Sequence, residues 1–93
     1  MIYRLKFKEE ALKEWRKLDS TLREQFKKKL AERVQEPRVT GAKLAGHADR
    51  YKIKLKSNGY RLVYEVHDAE VVIVVVSVGK RERNAVYAAA AKR

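Results

Sequence analysis

Ninety-three residues with no cysteine, four glycines and one proline leave room for one small hydrophobic core. With 45% of the residues hydrophobic, they exclude a disulfide framework, a thiolate metal site and a wholly disordered chain. Twenty-three Lys and Arg against twelve Asp and Glu set the net charge at +11, an excess that points to a polyanionic partner and to salt-dependent binding of nucleic acid.

Two separated histidines make a poor metal site, so neither metal nor cofactor is expected. The amino-terminal stretch carries no apolar signal region, and the longest apolar run, residues 71–76, is too short to cross a bilayer. One soluble, cytoplasmic domain spanning residues 1–93, with no membrane partner, is the expectation.

Residues 2–7 alternate, with Tyr3, Leu5 and Phe7 on one side, and read as a strand with that side inward. Ala11, Leu12, Trp15 and Leu18 then recur at helical spacing, and after a break at Asp19 and Ser20 the pattern resumes at Leu22, Phe26, Leu30 and Val34. Two amphipathic helices follow, the second with Ser20 as N-cap and Pro37 as its stop. Residues 38–50 lack periodicity and read as a loop, with Lys43 and His47 unassigned. Next come two alternating runs around Asn58 and Gly59, a dipeptide suited to a two-residue type I′ hairpin turn. That turn pairs Lys56 with Arg61, Leu55 with Leu62, Lys54 with Val63 and Lys52 with Glu65. It sends Tyr51, Ile53, Leu55, Tyr60, Leu62, Tyr64 and Val66 under the helices. A run of β-branched residues from Val71 reads as an interior strand with Val72, Val74 and Val76 on the lysine side, and the alanine-rich end from Asn84 is a helix candidate that could cover them. The order β-α-α-β-β-β-α makes an α+β domain: a mainly antiparallel sheet, two N-terminal helices on one face and a short C-terminal helix.

Lys52, Lys54, Lys56 and Arg61 share the outward face of the hairpin, and Lys80, Arg81, Arg83 and Tyr87 follow where the last strand ends. Alternating lysines on a solvated sheet face are an ordinary guard against edge pairing, so the pattern alone leaves a plain basic surface open. Together with KEEALKEWRKL, YKIKLKSNGYRLVY and SVGKRERNAVY, in order and spacing, it closely resembles the RelE family of bacterial toxins, across residues 2–93. The alanine-rich end departs from that family's more varied tail.

The resemblance implies a RelE/ParE-like, microbial-ribonuclease-like fold and an enzyme that enters the ribosomal A site, beside 16S rRNA, cuts the mRNA there and is silenced by a cognate RelB-like antitoxin. It places the functional set at Lys52, Lys54, Arg61, Arg81 and Tyr87; from the charge pattern, the neighbouring Lys56, Lys80 and Arg83 are expected as RNA or ribosome contacts.

Metal-free cleavage of RNA needs the 2′-OH deprotonated, the phosphorane stabilised and the departing 5′-oxygen neutralised. His47 in a loop and His67 beside a turn are poorly placed for this. A lysine serves as base only where like charge and low polarity disfavour its ammonium form. Lys54, among Lys52, Lys56 and Arg61, is the better candidate, because Glu65 is expected opposite Lys52. Arg61 and Lys52 suit phosphate clamping. Arg81, always charged, suits stabilising the leaving oxygen, and Tyr87 suits stacking on a base or assisting the 2′-OH, its alternative being a helix-core tyrosine. The ribosome would supply the positioning, so little cleavage of free RNA is expected. Two rival readings are a non-catalytic, gyrase-poisoning ParE-like toxin and a plain RNA- or ribosome-binding protein.

Overall fold

Hydrophobic periodicity becomes structure in the order it predicts. A computed structural model describes residues 2–55 and 59–93, apart from the side chain of Arg83. The elements are β1 (Arg4–Phe7), α1 (Glu9–Arg16), α2 (Ser20–Arg33), a 3-10 turn (Thr40–Ala42), β2 (Arg50–Lys54), β3 (Tyr60–His67), β4 (Val72–Lys80), a second 3-10 turn (Glu82–Asn84) and α3 (Ala85–Ala91). The expectations placed on Lys56 and Asn58 lie outside the described residues. No described helix is long and apolar enough to cross a membrane.

The strands form one sheet in the order β1-β4-β3-β2, with β1 parallel to β4 and the other neighbours antiparallel. One face carries the larger core, where Leu22, Phe26 and Leu30 of α2 meet Ile53, Leu62, Tyr64 and Val75. On the other face α3 lays Val86 and Ala90 over Val63 and Val76. The cover expected for the valine side is therefore supplied by the C-terminal helix.

Three local expectations are corrected. Tyr51 faces Tyr64, Lys52 faces Val63 and Lys54 faces Arg61, two residues away from the predicted hairpin register, and the Leu55 N–H bonds the Tyr60 carbonyl at 3.0 Å. A slip of two leaves every side chain on its predicted face, so alternation could not see it. Second, Leu5 is 40% exposed, on a strand at the sheet edge that has a neighbour only on its β4 side. Third, α2 begins at Ser20 with Asp19 in the cap position and no side-chain cap bond. Arg23 closes that corner instead, donating to the Leu18 carbonyl at 2.7 Å.

A one-residue bulge, Val76, interrupts the β3–β4 ladder between Val63 and Tyr64. Bulges invert the alternation beyond them. Val78 accordingly returns to the helix-side core, and Ser77 faces α3, donating its hydroxyl to the Val86 carbonyl at 2.8 Å.

The pairing of β1 with β4 ends at Phe7 and Val75, which leaves the next stretch of β4 without a strand neighbour on that side. Glu14 of α1 takes the Val78 N–H at 3.2 Å, and Arg93 donates to the Val76 carbonyl at 3.0 Å and to Glu14 at 2.7 Å. This pair passes round the sheet edge and fastens the segment after α3 to a helix on the opposite face. Lys8 Nζ adds a bond to the Arg93 backbone oxygen at 2.9 Å. A seven-residue helix has little stability of its own, so these ties hold it. Glu14→Ala is expected to cost about 1 kcal/mol, the worth of partly buried charged bonds discounted for solvent screening, and roughly 4–8 °C in Tm. Amide exchange should quicken first in α3; uniform quickening throughout the chain would contradict this role.

Candidate active site

Four segments converge at the end of the sheet where β2, β3 and β4 leave the helices. Lys52 and Lys54 stand on β2, Arg61 on β3, Arg81 just beyond β4 and Tyr87 on α3. All five line one concavity of about 420 Å³, together with Leu44 and Ala45 from the loop before β2. Lys80, expected as an RNA contact, is exposed but does not line the concavity: it pairs with Tyr60 on the helix side of the sheet, its ammonium 5.9 Å from the centre of that ring.

Local sequence accounts for each placement. Strand alternation sends Lys52 and Lys54 away from the buried Tyr51 and Ile53. The corrected register sets Lys54 directly opposite Arg61, so two cations face each other with no carboxylate between them. Glu65, expected opposite Lys52, instead pairs with Arg50 at 2.8 Å. Its influence is therefore moved two residues along β2, away from the concavity. The segment carrying Arg81 is tied to the hairpin through its backbone, the Arg81 N–H donating to the Gly59 carbonyl at 2.9 Å.

Arg61 donates one guanidinium N–H to the Tyr60 carbonyl at 3.0 Å. Its Nε is buried with no acceptor among the described residues. A buried donor left unpaired is costly unless something arrives to accept from it.

Tyr87 is half-buried, packing its ring beside Val63, Val76, Val86 and Ala90 while also lining the concavity. The core packing expected of a helix tyrosine is thus compatible with a place in the lining. Its helix is positioned by Arg50, which donates to the Ala90 carbonyl at 2.6 Å while holding Glu65. Sequence reasoning missed Arg50, Leu44 and Ala45. For Arg50 the signal was a third basic residue two positions before Lys52 on the same strand face; the loop pair gave none.

Burial alone would raise the Glu65 carboxyl, but the hydrogen bond and charge of Arg50, helped by His67 at 2.8 Å, outweigh it and hold the group below its ordinary value. A lowered carboxyl stabilises the fold above its unfolded value, and that contribution is lost as pH falls through the folded one. Wild type is expected to lose Tm as pH falls below about 4.3, the ordinary glutamate value, and Glu65→Gln should show a shallower fall. Equal slopes in the two melting series would contradict the assignment. Among the described residues, no three His, Asp or Glu side chains gather as a metal site; His47 is exposed in its loop and His67 is engaged with Glu65.

What the concavity can do follows from its lining. Four cations, Lys52, Lys54, Arg61 and Arg81, can stabilise a phosphate that gains charge, and a tyrosine at the wall offers a ring or a hydroxyl to a nucleotide.

Comparison with known proteins follows the same direction. The family described as "ParE toxin of type II toxin-antitoxin system, parDE" matches residues 5–85. The chain is 62% identical to the mRNA interferase toxin RelE of Escherichia coli (strain K12), over all of this chain and 98% of that protein. Among solved structures, an arginine-to-alanine variant of the free E. coli toxin RelE superposes with a TM-score of 0.93 at 60% identity, over all of this chain and 98% of the other. The toxin in the intact E. coli RelBE toxin-antitoxin complex superposes with a TM-score of 0.82 at 63% identity, over 84% of this chain and 95% of the other.

Proposed function

This chain belongs to the RelE toxins of the RelE/ParE family of type II toxin-antitoxin systems, and from that premise we propose how it cuts RNA and where. It is an mRNA endoribonuclease toxin. The mRNA is cut while it lies in the ribosomal A site, the 2′-OH of the nucleotide before the scissile bond attacking the adjacent phosphorus. The products are a 2′,3′-cyclic phosphate and a free 5′-hydroxyl. The observation that supports this reading is the single concavity shared by Lys52, Lys54, Arg61, Arg81 and Tyr87.

Each residue takes a role that its chemistry allows. Lys54 accepts the 2′-OH proton, a role assigned from its place in the concavity, beside Lys52 and directly opposite Arg61. Arg61 and Lys52 grip the non-bridging oxygens, one as a planar fork and one as a point charge. Arg81 neutralises the departing 5′-oxygen, a task for fixed positive charge. Tyr87 stacks on a base or steadies the 2′-OH. Lys56, Lys80 and Arg83 extend the positive field toward 16S rRNA.

Among the described residues, nothing encloses the concavity so as to force a flexible strand into line. The ribosome provides that alignment, worth several kcal/mol, and places the site of action in the cytoplasm. A RelB-like antitoxin is the partner that silences it, as the RelBE complex of the E. coli relative suggests.

The experiment is to add the purified protein to ribosomes programmed with a defined mRNA, and separately to the same mRNA alone, and to map the new 5′ ends. Cuts within the A-site codon on ribosomes, with free mRNA left nearly intact, are expected. Uncut mRNA in both reactions would reject the reading in favour of the non-cleaving toxin that the ParE name of the matched family keeps as second reading.

A further inference from the structure

Beyond the outer edge of β2 lies a second concavity, of about 220 Å³, lined by Lys29 and Arg33 of α2, Gly41 and Ala42, and the same Lys52 and Lys54 that line the first. We infer that this concavity is a subsite for an RNA phosphate, continuous with the candidate active site through Lys52 and Lys54. The inference rests on the reading that this chain acts on RNA.

The charge distribution is the first support. Among the described residues four Lys or Arg side chains are answered by acids, Lys27 by Glu24, Arg38 by Asp49 and Asp68, Arg50 by Glu65 and Arg93 by Glu14, and none of the four lines this hollow. Among the described residues, no carboxylate lies within ion-pair distance of Lys29, Arg33, Lys52 or Lys54. Four unanswered cations around one hollow repel each other until an anion enters it.

Arg33 supplies the second. Its guanidinium lies 5.7 Å from the centre of the Tyr64 ring and one nitrogen donates to the Tyr64 hydroxyl at 2.9 Å and to the Lys52 carbonyl at 3.2 Å. The Tyr64 hydroxyl is itself fixed by donation to the Pro37 carbonyl at 2.6 Å. A fork held this way has given up its rotamer freedom before any ligand arrives, which favours phosphate recognition over mere solvation. The lining contains no aromatic ring, so nothing there can stack a base. Backbone phosphate is the part of a nucleic acid that such a surface reads.

Gly41 gives the test. A Cβ there meets nothing within 4 Å, and its backbone is not left-handed, so Gly41→Glu introduces an acid without strain. With Arg81→Ala as a non-cleaving background, binding of a short single-stranded RNA is followed by fluorescence anisotropy across a salt series. Gly41→Glu is expected to weaken binding about tenfold and to make the slope of log K against log salt shallower by about one, the signature of one lost phosphate contact. Ala69→Glu, in the exposed turn after β3, makes the same change in net charge and should bind within about twofold of the background. Lys29→Ala, on the exposed side of α2, should reproduce the loss without adding a carboxylate. If Gly41→Glu and Lys29→Ala bind with the same affinity and slope as Ala69→Glu, the subsite is refuted.

Ribosomes identify the source of the phosphate. Weakening seen only when the mRNA extends through the A site assigns it to the cut strand; weakening with mRNA that stops short of it assigns it to ribosomal RNA. Equal binding of variant and background in both states overturns the inference. The two readings fail separately, because wild type that cuts no programmed mRNA rejects the cleavage reading. Wild type that cuts, beside a Gly41→Glu variant that cuts and binds equally well, rejects only the subsite.

Discussion

Arg81→Ala is expected to lower mRNA cleavage on programmed ribosomes by about 10²–10³-fold, the usual cost of removing one preorganised stabiliser of transition-state charge, without measurable loss of stability. The structure separates these two effects. Everything that residue 81 contributes to the fold is backbone: its N–H donates to the Gly59 carbonyl at 2.9 Å and its carbonyl accepts from the Asn84 N–H at 2.7 Å. The side chain is exposed and makes no hydrogen bond or ion pair among the described residues. Alanine keeps both backbone bonds. Single-turnover cleavage and thermal melting read the two quantities independently, and a drop in Tm matching the drop in rate would show that Arg81 holds structure instead. Arg81→Lys should recover part of the rate, since an ammonium retains the charge and loses the fork.

Lys54→Met is expected to lose about 10²–10⁴-fold in the same assay, the range for removing a general base, and to gain stability by a few tenths of a kcal/mol. The gain comes from geometry. Lys54 and Arg61 are directly opposed across an antiparallel pair, where like charges destabilise, and methionine removes that repulsion while keeping the apolar stem. A site that weakens the fold it sits on is one whose residues are retained for something other than folding. A variant of lower Tm and unchanged rate would reverse both halves of the argument. Combined with Arg81→Ala, Lys54→Met should cost much less than the product of the two losses, because groups acting on one phosphate fail together.

The parts of this molecule that could be read in its sequence are those set by periodicity. Helical spacing at Leu22, Phe26 and Leu30 and alternation through Tyr51, Ile53 and Leu55 place those side chains in one core, and alternation also put Lys52 and Lys54 on the far face. What periodicity cannot see is displacement that conserves parity. The hairpin is offset by two residues, a change invisible to alternation, yet it decides that Lys54 faces Arg61 and that Glu65 faces Arg50. The bulge at Val76 has the opposite character: it changes parity at the end of a uniformly apolar run, where alternation marks no preferred register.

The convergence of residues 52–61 with residues 81–87 was legible only as a resemblance, since it depends on how β4 and α3 return across the sheet. The anchorage of α3 was not legible at all. Glu14 and Arg93 lie 79 positions apart in the chain, and their pairing is dictated by where β1 ends, a boundary that alternation over residues 2–7 does not fix. Leu44 and Ala45 reach the site because Lys43 bridges Tyr51 on the edge of β2, a contact carried by no local pattern. The loop that reads as empty is thus a wall of the candidate site.

Cleavage by this site turns on the RNA supplying its own nucleophile to a phosphate held by these cations. Its most direct test is to programme ribosomes with two mRNAs that differ at one position, the nucleotide before the cut carrying a 2′-OH in one and only hydrogen in the other. The ribo form should be cut to a 2′,3′-cyclic phosphate and a 5′-hydroxyl, and the deoxy form should stay intact at that bond. Equal cutting of both, or a 5′-phosphate on the downstream fragment, would contradict the account.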